Sequence, residues 1–202
     1  MIDLHVRGVR RFEDIPFNSA TSTMRWDLAE LLQIMRLVAT GSSIDGLFEQ
    51  GSHGFGFVSL VRCSVEIALA GKPPVSSGGG ILSRTLEADL PFVGQCLDRH
   101  LVNAPASVRL VIMLGADETY VRACCRRLGG RTSMGAPHEI PYAYTANGRT
   151  FVHVPHPSGQ SGGFRAVFNG KRAPNNNEAG MLVCRRQVLA AVQEVMSEAA
   201  AQ

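Results

Sequence analysis

The alternation of strand-like and helix-like segments is the feature that most constrains this chain. Residues 108–114 form a nearly continuous apolar run that ends at Gly115, as is typical of a strand buried on both faces. A helical pattern follows over 119–128, and residues 151–154 have the pattern of another short strand. This order predicts an α/β fold, specifically a three-layer α/β/α sandwich with a mostly parallel central sheet.

The remaining segments extend the same pattern. Residues 55–63 are nearly continuous in apolar side chains and predict one more strand. Amphipathic patterns predict helices over 26–38, 86–102 and 181–198. Stretches rich in Gly, Pro or polar residues predict loops at 71–80 and 169–177.

Residues at the helix ends support these assignments. Asp27 and Glu30 lie near the positive N-terminal end of the first helix, and Gly41 follows that helix as a C-cap residue does. Pro91 is expected within the first turn of the next helix. No internal repeat or linker divides the chain, so we expect one domain over residues 1–202.

Composition and charge limit the classes of function. The 202 residues are 45% hydrophobic and 18% charged, as in globular domains, and the net charge of +3 is far from that of a histone-like binder. No apolar run approaches the roughly 20 residues that span a bilayer. Five cysteines, an odd number, argue against a complete disulfide framework. We therefore expect a cytoplasmic protein that does not bind membranes.

The topology predicts where a ligand binds. In open α/β sheets the site lies at the carboxyl ends of the strands. Three such ends can be read in this sequence, at 62–64, 115–118 and 155–163, and parallel strands would bring them to one side. Arg62 and Ser64 are the candidate binding residues of the first of these loops.

The loop after residue 154 carries the most informative residues. His156 lies between Pro155 and Pro157, and Ser158 and several glycines follow. Prolines restrict the approach of the chain, glycines let the backbone come close to a ligand, and a histidine exchanges hydrogen-bond roles near neutral pH. The alternative interpretation is a Gly/Pro turn with a surface histidine.

His156-Pro157-Ser158 at the end of a short strand resembles the second catalytic motif of the uracil-DNA glycosylase superfamily. The resemblance implies that His156 and Ser158 are catalytic. His156 would hydrogen-bond a base flipped out of DNA or stabilise negative charge on it as the glycosidic bond breaks. DNA is the implied partner, and DNA repair by base excision is the implied process.

The residues after the motif correspond to the loop that enters the minor groove in that family. Gly159, Gln160 and Ser161 occupy this position here. The family often has a proline directly after the serine and a leucine shortly beyond. Because this chain has a glycine and a glutamine instead, the resemblance implies a weaker wedge between the bases.

The order of elements is also similar to the bacterial and archaeal branches of the family that hold an iron–sulfur cluster. The similarity covers roughly residues 12–165. Residues 15–19 are similar to the segment that follows the first motif, which makes Phe17 and Asn18 candidate contacts of the base. The first motif itself, a Gly-x-x-Pro-Gly loop that positions a water, is not found. Two alternatives stay open: an N-terminus that is truncated, or a loss of catalysis.

The cysteines argue against a cluster. An iron–sulfur cluster needs four thiolates. Cys63 and Cys96 match two ligand positions in order, but buried apolar packing is the favoured interpretation of both. Cys124 and Cys125 would point about 100° apart on a helix. We therefore expect no cluster, no metal and no other cofactor.

Charged residues and one further histidine have alternative interpretations. The cations near the presumed ligand side could form a rim that contacts phosphates, or a solvated surface: Arg62, Arg84, Arg165, Lys171 and Arg172. Asp117 and Glu118 could act in acid–base chemistry, but capping of the next helix is favoured. His153, inside a strand, is predicted to be structural.

Three functions are thus to be compared. The first is a uracil-DNA glycosylase-like hydrolase of N-glycosidic bonds, with its activity left open by the missing motif. The second is a non-catalytic nucleic-acid or nucleotide-binding module on the same fold. The third, a hydrolase or transferase with Ser158 as nucleophile, is disfavoured because the Gly-x-Ser-x-Gly elbow is missing.

Overall fold

The computed structural model describes residues 24–48, 54–56, 79–88, 90–132, 139–158 and 161–201. Most of the strand predicted at 55–63 lies outside these residues, as do residues 71–78 of a predicted loop.

Helices and strands alternate along the described chain. The helices are α1 (Met24–Ile34), α2 (Gly79–Glu87), α3 (Pro91–Leu97), α4 (Glu118–Arg127), α5 (Gly162–Phe168) and α6 (Gly180–Ala200). The strands are β1 (Leu110–Leu114), β2 (Ala143–Ala146) and β3 (Arg149–Val154). These elements confirm the α/β class. None of the described helices combines the length and the apolar character needed to cross a membrane.

The three strands form one sheet in the order β1–β3–β2. Strands β1 and β3 are parallel, in a register that pairs Leu110 with Thr150 and Leu114 with Val154. Strands β2 and β3 are antiparallel. The described sheet is therefore mixed, and a mostly parallel three-layer sandwich goes beyond what these strands establish.

The antiparallel pair is a hairpin that the sequence analysis did not predict. Its two-residue turn consists of Asn147 and Gly148, both with positive φ, at 51° and 71°. Positive φ at both turn positions is typical of the type I′ turn, whose twist matches that of the flanking strands. The hairpin is why β3 begins at Arg149, two residues before the strand predicted at 151–154.

The side chains of β3 alternate between two apolar clusters. Val152 and Val154 are fully buried with residues of α1, α5 and α6. Phe151 is buried in a second cluster with residues of α2, α3 and α4, and its ring stacks on Tyr144 of β2 at 5.4 Å. Since successive side chains of a strand point to opposite faces, β3 is covered on both sides.

Two helix boundaries differ from the prediction. Helix α1 ends at Ile34, several residues before Gly41. Arg36, just beyond it, has a φ of 59°, and Leu37 N–H donates to the Leu32 carbonyl across the end of the helix. This is the Schellman motif, in which a residue of left-handed backbone ends the helix. Gly79 and Gly80, predicted as loop, begin α2. The predicted helix over 86–102 is divided, because α2 ends at Glu87 and α3 begins at Pro91.

Hydrogen bonds of Arg149 connect the start of β3 to the segment before β1. A π-helical turn over Asp98–Val102 follows α3. The buried guanidinium of Arg149 donates to the carbonyls of Val102 and Asn147 at 3.0 and 3.1 Å, and also to the carbonyl of Ala104. The last carbonyls of a helix have no partner within the helix, so donors such as this guanidinium satisfy them.

Candidate functional site

The parallel register brings two of the three predicted loops to the same edge of the sheet. Because Leu114 pairs with Val154, β1 and β3 end side by side. We call the segments that follow them the 115–117 loop and the 155–158 loop. Gly115 N–H donates to the Val154 carbonyl at 2.8 Å, which joins the two loops at their origin. The loop at 62–64, with Arg62 and Ser64, lies outside the described residues.

His156 is the titratable residue of the 155–158 loop. It is half-buried between Pro155 and Pro157, which are both buried. Burial lowers the pKa of the His156 imidazole, because it disfavours the charged form. A neutral imidazole offers one N–H donor and one acceptor nitrogen. At neutral pH, His156 can therefore make a hydrogen bond of either kind to a ligand.

The backbone just beyond His156 is held by Arg165 of α5. The Ser158 carbonyl accepts hydrogen bonds from Arg165 Nη1 at 3.0 Å and from Ser161 N–H at 3.1 Å. Arg165 Nη2 lies 2.9 Å from Oδ2 of Asp27 on α1, and each of these two side chains is only 14% exposed. This ion pair connects α1 and α5 to the 155–158 loop, an internal role that the sequence did not suggest for Arg165.

The neighbouring cations are also paired with carboxylates. Lys171 contacts Glu30 of α1. Arg172 donates to both oxygens of Glu178, one of them at 2.8 Å. With Arg165, three of the five cations of the predicted phosphate rim are thus paired. Arg84 lies exposed on α2, and Arg62 lies outside the described residues. A phosphate would have to compete with Glu30 and Glu178 for Lys171 and Arg172.

The two acids after β1 are used by the helix that they precede. Asp117 is the N-cap of α4, and its Oδ1 accepts the Tyr120 N–H at 3.1 Å. Glu118 accepts from Arg122 at 3.0 Å, one turn further along the same helix. The predicted capping role is therefore confirmed for Asp117.

A buried histidine lies behind the two loops. His153 of β3 is fully buried, and its Nδ1 lies 3.0 Å from the Gly115 carbonyl. A carbonyl only accepts, so Nδ1 carries the proton and Nε2 is free to accept from the Tyr144 hydroxyl at 3.3 Å. The Tyr120 ring meets the imidazole edge-on, with the ring centroids 5.4 Å apart. Burial lowers the pKa of His153 to about 4.

Three of the four described cysteines are buried in helices, whereas Cys96 of α3 is partly exposed. Cys124 and Cys125 are buried in α4, and burial raises the pKa of Cys124 to about 12. Cys184 of α6 is also buried, and its thiol donates to the His153 carbonyl at 3.3 Å. Within the described ranges, no group of three or more His, Cys, Asp or Glu side chains is arranged to hold a metal ion. Cys63 lies outside these ranges.

Two cavities of the described chain lie away from the loops. One, of about 330 Å³, is lined in part by Asp98, Arg127 and Asn147. The other, of about 300 Å³, is lined in part by Glu194 and Glu198 of α6. Neither lining includes a residue of the 115–117 loop or the 155–158 loop.

Comparison with known proteins adds no relative. No protein-family description, no curated protein and no solved structure matches this chain. The resemblance to the uracil-DNA glycosylase superfamily therefore stays a prediction.

The structure brings together about half of the predicted site residues. His156, Pro157, Ser158, Ser161 and Arg165 lie together around the end of β3. The others lie outside the described residues: Phe17, Asn18, Arg62, Ser64, Gly159 and Gln160.

Sequence reasoning missed two contributions to this edge of the sheet. Asp27 was interpreted only through the helix dipole, and Gly115 only as the end of a strand and the start of a predicted ligand loop. The φ of 150° at Gly115 and the ion pair of Asp27 depend on contacts between distant segments, for which the local sequence has no signal.

Proposed function

We propose that this protein is a uracil-DNA glycosylase-like hydrolase that recognises a base flipped out of DNA. The observation that carries the proposal is the half-buried His156, whose pKa burial lowers, at the shared end of two parallel strands. We propose the finer fold of that family with it, a three-layer α/β/α sandwich with a mostly parallel sheet. DNA as the partner and the cytoplasm as the location belong to the same proposal.

The chemistry follows from the position of a neutral imidazole. When water displaces the base, the C1′–N bond breaks and its electron pair stays on the departing base. A hydrogen bond from His156 to an oxygen of the base would stabilise this developing negative charge more than it stabilises the uncleaved substrate. The buried prolines on both sides and the fixed carbonyl of Ser158 limit the movement of the backbone that carries the imidazole.

A binding module without turnover is the second candidate, and the carboxylates favour it. A glycosylase also needs a group that positions the attacking water. Five acids on the elements that flank the two loops already have a polar partner in the protein: Asp27, Glu30, Asp117, Glu118 and Glu178. If these contacts keep the carboxylates from the attacking water, the protein would bind the base and leave the bond intact.

Base release from a labelled oligonucleotide tests the first candidate. The oligonucleotide contains one uracil, and alkali converts each released base into strand cleavage. We expect cleavage by the wild type, at least a hundredfold slower cleavage by His156→Ala, as is typical when a catalytic donor is removed, and no change in His100→Ala. His100 is the matched control because its π-helical turn is joined by Arg149 to the opposite end of β3.

The remaining outcomes separate the two candidates. If the folded wild type does not cleave but binds the oligonucleotide in a fluorescence-anisotropy titration, and His156→Ala weakens this binding, the protein is a binding module. If the folded wild type neither cleaves nor binds uracil-containing or abasic DNA, the glycosylase and a module that binds such DNA are both wrong.

A further inference from the structure

His153 makes a hydrogen bond that reaches from the core to the candidate site. Its imidazole is fully buried, yet Nδ1–H donates to the carbonyl of Gly115, the first residue of the 115–117 loop. The two residues are 38 positions apart in the chain. His153 also lies on β3, the strand that leads into the 155–158 loop, three residues before His156. Its side chain therefore connects this strand to the 115–117 loop.

Gly115 has a conformation that favours glycine, and β3 binds its backbone on both sides. Its φ of 150° is one that side-chain-bearing residues rarely adopt, and an added Cβ would lie 2.9 Å from the Tyr120 ring. Its N–H is bound by the Val154 carbonyl of β3 and its carbonyl by the His153 imidazole. Both polar groups of the Gly115 backbone are thus held by β3.

The direction of this hydrogen bond depends on one tautomer of the imidazole. Because the Gly115 carbonyl can only accept, Nδ1 carries the proton, and the Tyr144 hydroxyl, 3.3 Å from the unprotonated Nε2, donates to it. The Tyr120 ring packs against the imidazole at 78° to its plane. The core thus orients the imidazole so that its donor nitrogen faces the Gly115 carbonyl.

We propose that His153 is a positioning residue of the candidate site, which holds the 115–117 loop in place beside the 155–158 loop through its Nδ1–H bond to Gly115. The part of this proposal that concerns DNA rests on the proposed function; the part that concerns the loop does not. His153 does not touch the substrate. It fixes the start of α4 relative to His156, because Gly115 leads directly to the N-cap Asp117.

Two substitutions of His153 distinguish the roles of the two imidazole nitrogens. An asparagine amide can place its N–H donor near the position of Nδ1, so His153→Asn can keep the bond to Gly115. A glutamine places its amide oxygen near Nε2, so His153→Gln can keep the acceptor for Tyr144 but loses the donor to Gly115. Tyr144→Phe removes only the hydroxyl that faces Nε2.

The first measurement is the tautomer of His153 in the wild type, from long-range ¹H–¹⁵N correlation NMR near neutral pH. We expect the proton on Nδ1. A proton on Nε2 would overturn the proposal whatever the variants do, and this result does not depend on any activity.

The second measurement is amide hydrogen exchange at Gly115 and Tyr120, whose N–H groups bond to Val154 and Asp117. We expect His153→Gln to speed exchange at both amides by roughly tenfold, the effect of one lost hydrogen bond. In His153→Asn and Tyr144→Phe, we expect exchange rates close to those of the wild type. Equal exchange in the Gln and Asn variants would overturn the proposal. If His153→Gln does not fold, Tyr144→Phe is the remaining test. Unchanged exchange at Gly115 in this variant would support a loop held through Nδ1, and faster exchange would contradict it.

Binding of the uracil-containing oligonucleotide is measured with the same variants. We expect His153→Gln to weaken binding by about tenfold relative to His153→Asn, beyond what their unfolding free energies explain. If the wild type does not bind DNA while the tautomer and exchange results hold, the proposed function fails and the positioning role stands. If DNA is bound and cleaved but exchange does not separate the Gln and Asn variants, the positioning role fails alone.

Discussion

The protonation of His153 makes the stability of the folded chain depend on pH. Burial lowers its pKa from 6.5 to about 4, so between these values the unfolded chain binds a proton that the folded chain excludes. The free energy of unfolding should therefore decrease as the pH falls from about 6.5 toward 4, by at most about 3 kcal/mol from this residue. Urea unfolding followed by circular dichroism at several pH values measures this decrease.

The comparison with His153→Asn isolates this residue, because His156, whose pKa is also lowered, contributes in the same direction. The groups that face the imidazole are the Gly115 carbonyl, the Tyr144 hydroxyl and the Tyr120 ring, and none of them gains a proton in this range. We expect a flatter pH dependence in the Asn variant. Parallel curves for the two proteins would show that His153 does not take up the proton.

At the residue scale, the sequence predicted whether a side chain is buried or caps a helix, but not which distant residues it hydrogen-bonds. A histidine inside an apolar strand predicts a buried structural side chain, and His153 is one. Asp117 directly before a helical pattern predicts an N-cap, which the structure confirms. The hydrogen bond between His153 and Gly115 could not be predicted, because it depends on the register of two strands far apart in sequence.

At the scale of single elements, the β2–β3 hairpin depends on the backbone of its turn. Gly148 has a φ of 71°, and a Cβ added there would meet no atom within 4 Å. Gly148→Ala therefore tests backbone conformation without a steric clash. We expect it to lower the free energy of unfolding by about 1–2 kcal/mol, the cost of left-handed backbone for a residue with a Cβ. Urea unfolding at neutral pH measures this change.

Gly46 is the matched control for this substitution. An added Cβ there also meets no atom within 4 Å, and its backbone does not have the positive φ of Gly148. Gly46→Ala should leave stability unchanged or raise it by up to about 1 kcal/mol, since it restricts the unfolded chain. Equal effects of the two substitutions would mean that the turn is not strained by a side chain.

Long, strongly patterned elements were predictable from sequence, whereas short ones were not. β1, α4 and α6 lie within two residues of their predicted bounds, because each lies in a continuous apolar run or an amphipathic pattern of at least seven residues. The four residues of β2 are too few for such a pattern. The Asn147-Gly148 pair was nevertheless a local signal for a hairpin, and considering it would have revealed the antiparallel pair.

At the scale of the whole molecule, the candidate site depends on helices that meet far from each other in sequence. Asp27 of α1 and Arg165 of α5 form the ion pair behind the 155–158 loop. The sequence indicated an acid at a helix start and an arginine near a loop, and each alone has a sufficient local explanation. Their contact depends on how the helices pack against the sheet, and no local pattern contains that information.

The Asp27–Arg165 pair should contribute more to stability than a surface pair does. Each side chain is 14% exposed, so water screens the interaction less than it screens the Glu118–Arg122 pair, whose side chains are 56% and 42% exposed. A double-mutant cycle with Asp27→Asn and Arg165→Met should give a coupling free energy of about 1–3 kcal/mol. The same cycle with Glu118→Gln and Arg122→Met should give about 0.3–0.5 kcal/mol.

Urea unfolding of these seven proteins, the wild type and the six variants, at 0.05 and 0.5 M NaCl distinguishes a buried ion pair from a surface contact. Added salt should remove most of the Glu118–Arg122 coupling and leave most of the Asp27–Arg165 coupling. Arg165→Met should also speed amide exchange at Ser161, because the Ser158 carbonyl then loses one of its two donors. Coupling energies of equal size and equal salt dependence would mean that the 155–158 loop keeps its position without help from α1.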